Sequence, residues 1–81
     1  LFFEGGEKVK REELIKYRGD RTQEEMGRLY GVKQQTWWTW ENGIAKPNLA
    51  TMKRIEIDSG ISMEVLFFDA FNNNKLLNAV R

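Results

Sequence analysis

The sequence contains no cysteine, no histidine and a single proline, Pro47. Without cysteine there is no disulfide scaffold and no thiolate metal site, a composition suited to a reducing cytosol. Without histidine the usual general base and the commonest metal ligand are missing, so no serine or cysteine triad can be assembled. Long apolar runs are also absent. None approaches the roughly 18 residues of a membrane span, and Leu1-Phe2-Phe3 is too short for the apolar part of a signal peptide. There is no internal repeat, no low-complexity tract, no phosphate-binding glycine loop and no nucleophile–base set. These absences argue against an enzyme and against a bound cofactor or metal.

What remains is an 81-residue chain with 41% hydrophobic and 31% charged residues, the composition of one small globular domain. Such a domain buries only about 60% of its unfolded surface, so its stability margin is thin. The net charge of +1 does not by itself indicate a nucleic-acid partner. Its distribution is more informative. Between residues 26 and 54, Arg28, Lys33, Lys46, Lys53 and Arg54 face only Glu41, whereas residues 55–72 carry only Glu56, Asp58, Glu64 and Asp69. A basic middle therefore adjoins an acidic C-terminal side.

Apolar spacing and cap signals predict an all-α chain of five short helices. The first runs from about Lys8 or Arg11 to Arg18, with Leu14, Tyr17 and Arg18 on one face and a Glu12–Lys16 pair on another. Thr22-Gln23-Glu24-Glu25 is a capping box that starts the second. Met26, Leu29 and Tyr30 form its apolar stripe, and Gly31 stands where a left-handed residue is wanted. After Val32 the third helix spans about Lys33 to Glu41 and stops at Asn42-Gly43. Asn48 caps a fourth helix, with Leu49, Met52 and Ile55 inward, and Ser59-Gly60 ends it. Ser62 caps a fifth, with an Ile61/Leu66 staple, and Val65, Leu66 and Phe67 or Phe68 form its inner face. Nothing alternates with period two over a useful length.

The third helix has two unlike faces. At about 100° per residue, Trp37 and Trp40 share one side, while Gln35 and Thr39 lie opposite and Trp38 on the flank between. Gln34, in the first turn, projects past the helix end. Two adjacent glutamines are ordinary surface, but in a major groove each suits adenine, whose N6 and N7 they can engage together. Trp37 and Trp40 read as core, against Met26, Leu29, Val32, Leu49 and Met52. Trp38 either packs on a sugar–phosphate wall or folds over a neighbouring helix.

Two short helices about a Gly31-Val32 turn form the pattern of a helix-turn-helix. Thr22-Gln23-Glu24-Glu25-Met26, then Gly31-Val32, then Trp37, Trp40-Glu41-Asn42-Gly43, then Pro47 and Leu49 closely resemble the Cro/C1-type family, the phage lambda and 434 repressor-like group also called XRE. The resemblance covers about residues 11–68. It implies a lambda-repressor-like fold and sequence-specific binding to double-stranded DNA, as in small bacterial or phage transcriptional repressors. It also implies base-reading positions at Gln34, Gln35 and Thr39, and phosphate contacts at Gln23, Asn42, Gly43 and Lys46, and it suggests that Arg18 pairs with Glu41. Trp38 joins the base-reading set by its place on the outward face beside Gln34 and Gln35, and Lys33, at the start of the third helix, is placed to reach a phosphate or a base. This chain departs from the pattern at several points. The Arg18–Gln23 connection is two residues short, Gly27 replaces an alanine, Lys33 replaces a hydroxyl N-cap, and Glu56 and Ser59 stand where small or apolar core residues are usual.

On this reading residues 1–10 are an N-terminal tail, 11–68 the DNA-binding domain and 69–81 a C-terminal extension. The chain is too short for a separate ligand-sensing domain, and no small-molecule substrate is evident. A single domain makes few base contacts, so a homodimer on a palindromic operator is expected. Phe67, Phe68, Phe71, Leu76, Leu77 and Val80 either form the dimer surface or close the monomer core. The alternative function is a protein-interaction module, such as a toxin-neutralising antitoxin, that uses this C-terminal segment.

Overall fold

The computed structural model describes residues 9–71, which form five α-helices and a closing 3₁₀ turn. The helices are α1 (Glu12–Arg18), α2 (Gln23–Tyr30), α3 (Gln34–Glu41), α4 (Leu49–Ser59) and α5 (Met63–Leu66), followed by the 3₁₀ turn Phe68–Phe71. There is no strand among the described residues. The all-α, five-helix expectation is borne out. Leu76, Leu77 and Val80 lie outside the described residues.

Local chemistry sets the helix starts. The Thr22 hydroxyl accepts from the Glu25 amide at 3.0 Å, and the Glu25 carboxylate accepts from the Thr22 amide at 2.9 Å, completing the capping box. Asn48 caps α4 by accepting from the Thr51 amide at 2.8 Å, and Ser62 caps α5 by accepting from the Val65 amide. Lys33 begins α3 without a side-chain cap. Gly31 closes α2 at φ 72°.

The core comprises Leu14, Met26, Tyr30, Trp37, Trp40, Met52, Ile55, Leu66 and Phe67. Tyr30 stacks on Trp37 with ring centroids 5.6 Å apart, and Trp40 tilts against Trp37 at 5.5 Å. These rings supply most of the apolar bulk between α2 and α3. The Tyr30 hydroxyl donates to Asp58 at 2.8 Å, so the Tyr17 hydroxyl, also 2.8 Å away, must donate to Tyr30. Burial, then the bonds to Tyr17 and Asp58, raise the Tyr30 phenol well above its ordinary range.

Three expected core residues, Leu29, Leu49 and Val65, lie outside, and of the alternatives Phe67 and Phe68 it is Phe67 that is buried. Leu29 is half-exposed beside Arg54, whose guanidinium donates to the Leu29 carbonyl, and Gly27 takes the buried place on α2. Leu49 is the first residue of α4 and stands beyond the reach of the core, where Pro47 is buried instead. Val65 and Phe68 face outward because α5 lasts a single turn. Its end at Leu66 and the extended φ of −121° at Phe67 turn Phe67 inward out of helical register. The first helix pairs Lys16 with Glu13 rather than with Glu12.

The departures from the family pattern have local causes. A Cβ on Gly27 would lie 2.5 Å from the Val32 carbonyl oxygen and 3.1 Å from the Lys33 carbonyl carbon. The missing side chain therefore makes room for the backbone of the α2–α3 turn. Glu56 accepts from the Met63 amide at 3.0 Å and from Lys53 at 2.7 Å, so it caps the next helix instead of filling the core. The Lys53 hydrogen bond, helped by the Met63 amide, holds its carboxyl below the usual range. The Ser59 hydroxyl accepts from the Ile61 amide at 3.0 Å, holding the α4–α5 connection.

Candidate nucleic-acid interface

The sequence of α3 divides it lengthwise, and the fold keeps that division. Trp37 and Trp40 are buried, whereas Gln34, Gln35 and Trp38 are exposed. Trp38 retains 38% of its surface, a large aromatic area for solvent to hold. Thr39 is half-buried, and its hydroxyl donates to the Thr36 carbonyl at 2.6 Å. Its proton is thus committed, which narrows what Thr39 can offer to a lone pair or its methyl group.

The end of α3 is anchored by Glu41, which is 2% exposed. Its Oε2 accepts from Arg18 Nε at 2.6 Å and Trp37 Nε1 at 2.6 Å. Its Oε1 accepts from Gln23 Nε2 at 2.9 Å and Arg18 Nη2 at 3.3 Å. The expected Arg18–Glu41 pair is present despite the shortened connection. Gln23, expected at a phosphate, has one amide hydrogen engaged by Glu41 and keeps the other.

The loop after α3 carries the remaining expected contacts. Asn42 is half-buried, and its Nδ2 donates to the Trp38 carbonyl at 2.9 Å. Gly43 has φ 70°, and a Cβ there would drive into the Val9 carbonyl. Both the left-handed backbone and the crossing of the N-terminal segment require glycine at this point. Lys33 and Lys46 are exposed and form no ion pair among the described residues. The electrostatic consequence is specific. Glu41, the only acid between residues 26 and 54, is buried and matched by Arg18, while Arg28 and Lys53 pair with Glu24 and Glu56 from outside the stretch, so Lys33 and Lys46 are the cations next to α3 that have no ion pair among the described residues.

Sequence reading missed Arg11 and Asp69. Arg11 is 3% exposed. Its Nε and Nη2 donate to the two Asp69 oxygens at 2.8 Å each, and its Nη1 donates to the carbonyls of Trp40 at 2.8 Å and Ala45 at 2.6 Å. The guanidinium lies 5.3 Å from the Phe67 ring centroid. Arg11 therefore ties the C-terminal end of α3, the following loop and the closing 3₁₀ turn together, and the described fold continues past residue 68. Burial of Asp69 opposes ionisation, but the Arg11 hydrogen bonds and charge outweigh it and hold the carboxyl below its ordinary range. The one available signal was a lone acid in the apolar run Phe67-Phe68-Asp69-Ala70-Phe71, which needs a cation if it is covered.

A shallow open depression lined by Arg21, Glu25, Arg28 and Leu29 contains none of the expected site residues. No helix among the described residues is long and apolar enough to cross a membrane. No cluster of three acidic metal ligands occurs among them either. Comparison with family models, curated proteins and solved structures finds no match to this chain.

Proposed function

We propose that this chain is a sequence-specific double-stranded DNA-binding domain, acting as a small cytoplasmic transcriptional regulator of the repressor type. The observation that carries the reading is α3. It is a rigidly anchored helix whose outward face presents Gln34, Gln35 and Trp38, with Lys33 before it and Lys46 after it forming no ion pair among the described residues. Amide side chains suit base edges, and the exposed indole suits a thymine methyl or a sugar wall. Lys33 and Lys46, with Gln23, Asn42 and Gly43, are the proposed phosphate contacts, which position the helix without reading sequence. The small number of base-reading side chains favours a homodimer on a palindromic site.

The deciding experiment is selection of bound duplexes from a random pool, followed by footprinting. An enriched half-site repeated at about one helical turn is expected. Recovery of no preferred sequence at moderate salt overturns the proposal. Exposed Val65 and Phe68 near the described C-terminal end support a second reading, a protein-interaction module of the antitoxin kind. Co-purification of a stoichiometric protein partner, with no selected duplex, is the outcome that reading requires.

A further inference from the structure

Gln23 and Glu41 belong to different helices, yet their side chains share a hydrogen bond that no helix cap or core packing demands. The Glu41 carboxylate receives four donors from three helices: Arg18 of α1, Gln23 of α2 and Trp37 of α3. Two carboxylate oxygens offer about four lone-pair sites, so the group is saturated. Arg18 and Trp37 hold Glu41 in place from two sides, and Arg18 cancels its charge. What is left for Gln23 is a fixed acceptor that takes one amide hydrogen and orients the carboxamide. Gln23 itself is half-buried at the first residue of α2.

Resting on the DNA-binding reading above, we infer that Glu41 is a positioning residue that holds the Gln23 carboxamide ready for a DNA phosphate. A free glutamine loses its rotamer freedom on binding, and that ordering cost falls on the complex. Here the ordering has already occurred on folding. The amide hydrogen not given to Glu41 is the one offered to a phosphate oxygen. Glu41 does not touch DNA, and its negative charge is shielded from the phosphate by Arg18. Glu41→Gln keeps the shape of the side chain but places an amide NH₂ among the donors of Arg18 and Trp37. Two donors cannot face one another, so the arrangement must loosen and release Gln23.

The test uses the selected operator duplex carrying a single neutral methylphosphonate at each backbone position in turn. The phosphate whose neutralisation weakens wild-type binding but not binding by Gln23→Ala is the one Gln23 touches. Glu41→Gln should lose sensitivity at that same phosphate and bind about 3- to 10-fold more weakly. The double variant should bind no more weakly than Gln23→Ala alone. Retained sensitivity in Glu41→Gln, losses that multiply in the double variant, or no phosphate that responds to Gln23→Ala each overturn the inference and leave DNA binding intact. Failure of the wild type to select any duplex overturns the DNA-binding reading first, and the inference with it. A second measurement does not depend on the folding of Glu41→Gln. In the free wild-type protein, nitrogen relaxation should show the Gln23 side-chain amide nearly as ordered as rigid backbone, with an order parameter of about 0.85. An amide that is mobile in the free protein and ordered only with DNA overturns the inference.

Discussion

Arg11 and Asp69, 58 positions apart, are joined by two parallel hydrogen bonds of 2.8 Å, and the same guanidinium holds the carbonyls at the end of α3. Four of the five guanidinium N–H groups are used. A cation left only 3% exposed depends on such a partner, since leaving it unpaired is far more costly than never burying it. Asp69→Ala should therefore cost about 3 kcal/mol in urea unfolding. Arg11→Met, which removes the buried charge along with the pair, should cost less than the Asp69 change. The reverse order would mean that the pair is solvated in solution.

The same pair predicts an acid limb. The folded Asp69 carboxyl lies below the ordinary aspartate value of 3.8, so folding favours its ionised form. The stabilisation is fully present above that ordinary value and is lost as pH falls from there through the lower folded value. Glu56, also lowered, acts in the same direction below its ordinary 4.5. Asp69→Asn should flatten the pH dependence of the urea midpoint below about pH 4, and Glu56→Gln should flatten it further. An unchanged slope in Asp69→Asn would exclude the ion pair as its source.

Gly27 offers a test of packing against propensity. Gly to Ala inside an exposed helix normally gains about 1 kcal/mol. Here the added methyl would meet the Val32 carbonyl oxygen at 2.5 Å and the Lys33 backbone just beyond 3 Å, and neither is a flexible side chain. Gly27→Ala should destabilise by about 1–3 kcal/mol through forced backbone movement. It should also weaken DNA binding, because the displaced backbone is the turn that leads into α3. A stabilised Gly27→Ala variant would show that the α2–α3 turn is looser than this contact requires.

The features legible in the sequence are those settled by a few neighbouring residues. Thr22, Asn48 and Ser62 make their caps because the donor each needs lies three residues on. The inward turn of Trp37 and Trp40 follows from their spacing within one helix. Long-range partners leave no such mark, which is why the Arg11–Asp69 pair was not anticipated and the Arg18–Glu41 pair was reached only through a family resemblance. Apolar periodicity also overstated the core at Leu29, Leu49 and Val65. It records which residues share a helix face, but not how far along the helix that face is covered. The polar half of the candidate interface was readable as a face, Gln34 and Gln35 being exposed as expected. The donor committed by Thr39 and the amide committed by Gln23 depended on tertiary and local bonds that spacing does not encode.

Base reading should be separable from general affinity. Gln34→Ala and Gln35→Ala remove exposed side chains, so each should leave stability within about 0.5 kcal/mol of wild type. Each should weaken binding to the selected site by ~1–3 kcal/mol and barely change binding to random duplex. Lys46→Ala should instead weaken both to a similar extent, since a phosphate contact carries no sequence information. Titration against matched and random duplexes distinguishes the two patterns. Equal losses on both duplexes for the glutamine variants would remove α3 from the reading role.

The three tryptophans of α3 give the sharpest contrast, because they sit on one helix and differ mainly in what covers them. Trp37 has no exposed surface and Trp40 only 5%; Trp37 stacks on Tyr30, and Trp40 tilts against Trp37. Replacing either with alanine leaves a cavity the size of an indole, at ~3–5 kcal/mol each. The Trp37 change also takes a donor from the buried Glu41 carboxylate. A domain this small has little margin, so both variants should be largely unfolded. Trp38 is different. With 38% of its surface open and no side-chain hydrogen bond among the described residues, its removal should cost about 2 kcal/mol of stability, less than either buried ring. Its position beside Gln34 and Gln35 on α3 places it where DNA would cover it, so Trp38→Ala should lose about tenfold or more in affinity, ~1.4 kcal/mol. Urea unfolding of the three single variants, followed by DNA titration of those that remain folded, checks both halves. A Trp38→Ala variant as unstable as the other two would mean that α3 sits rotated about its axis in solution. A stable variant with wild-type affinity would mean that the exposed indole faces something other than DNA.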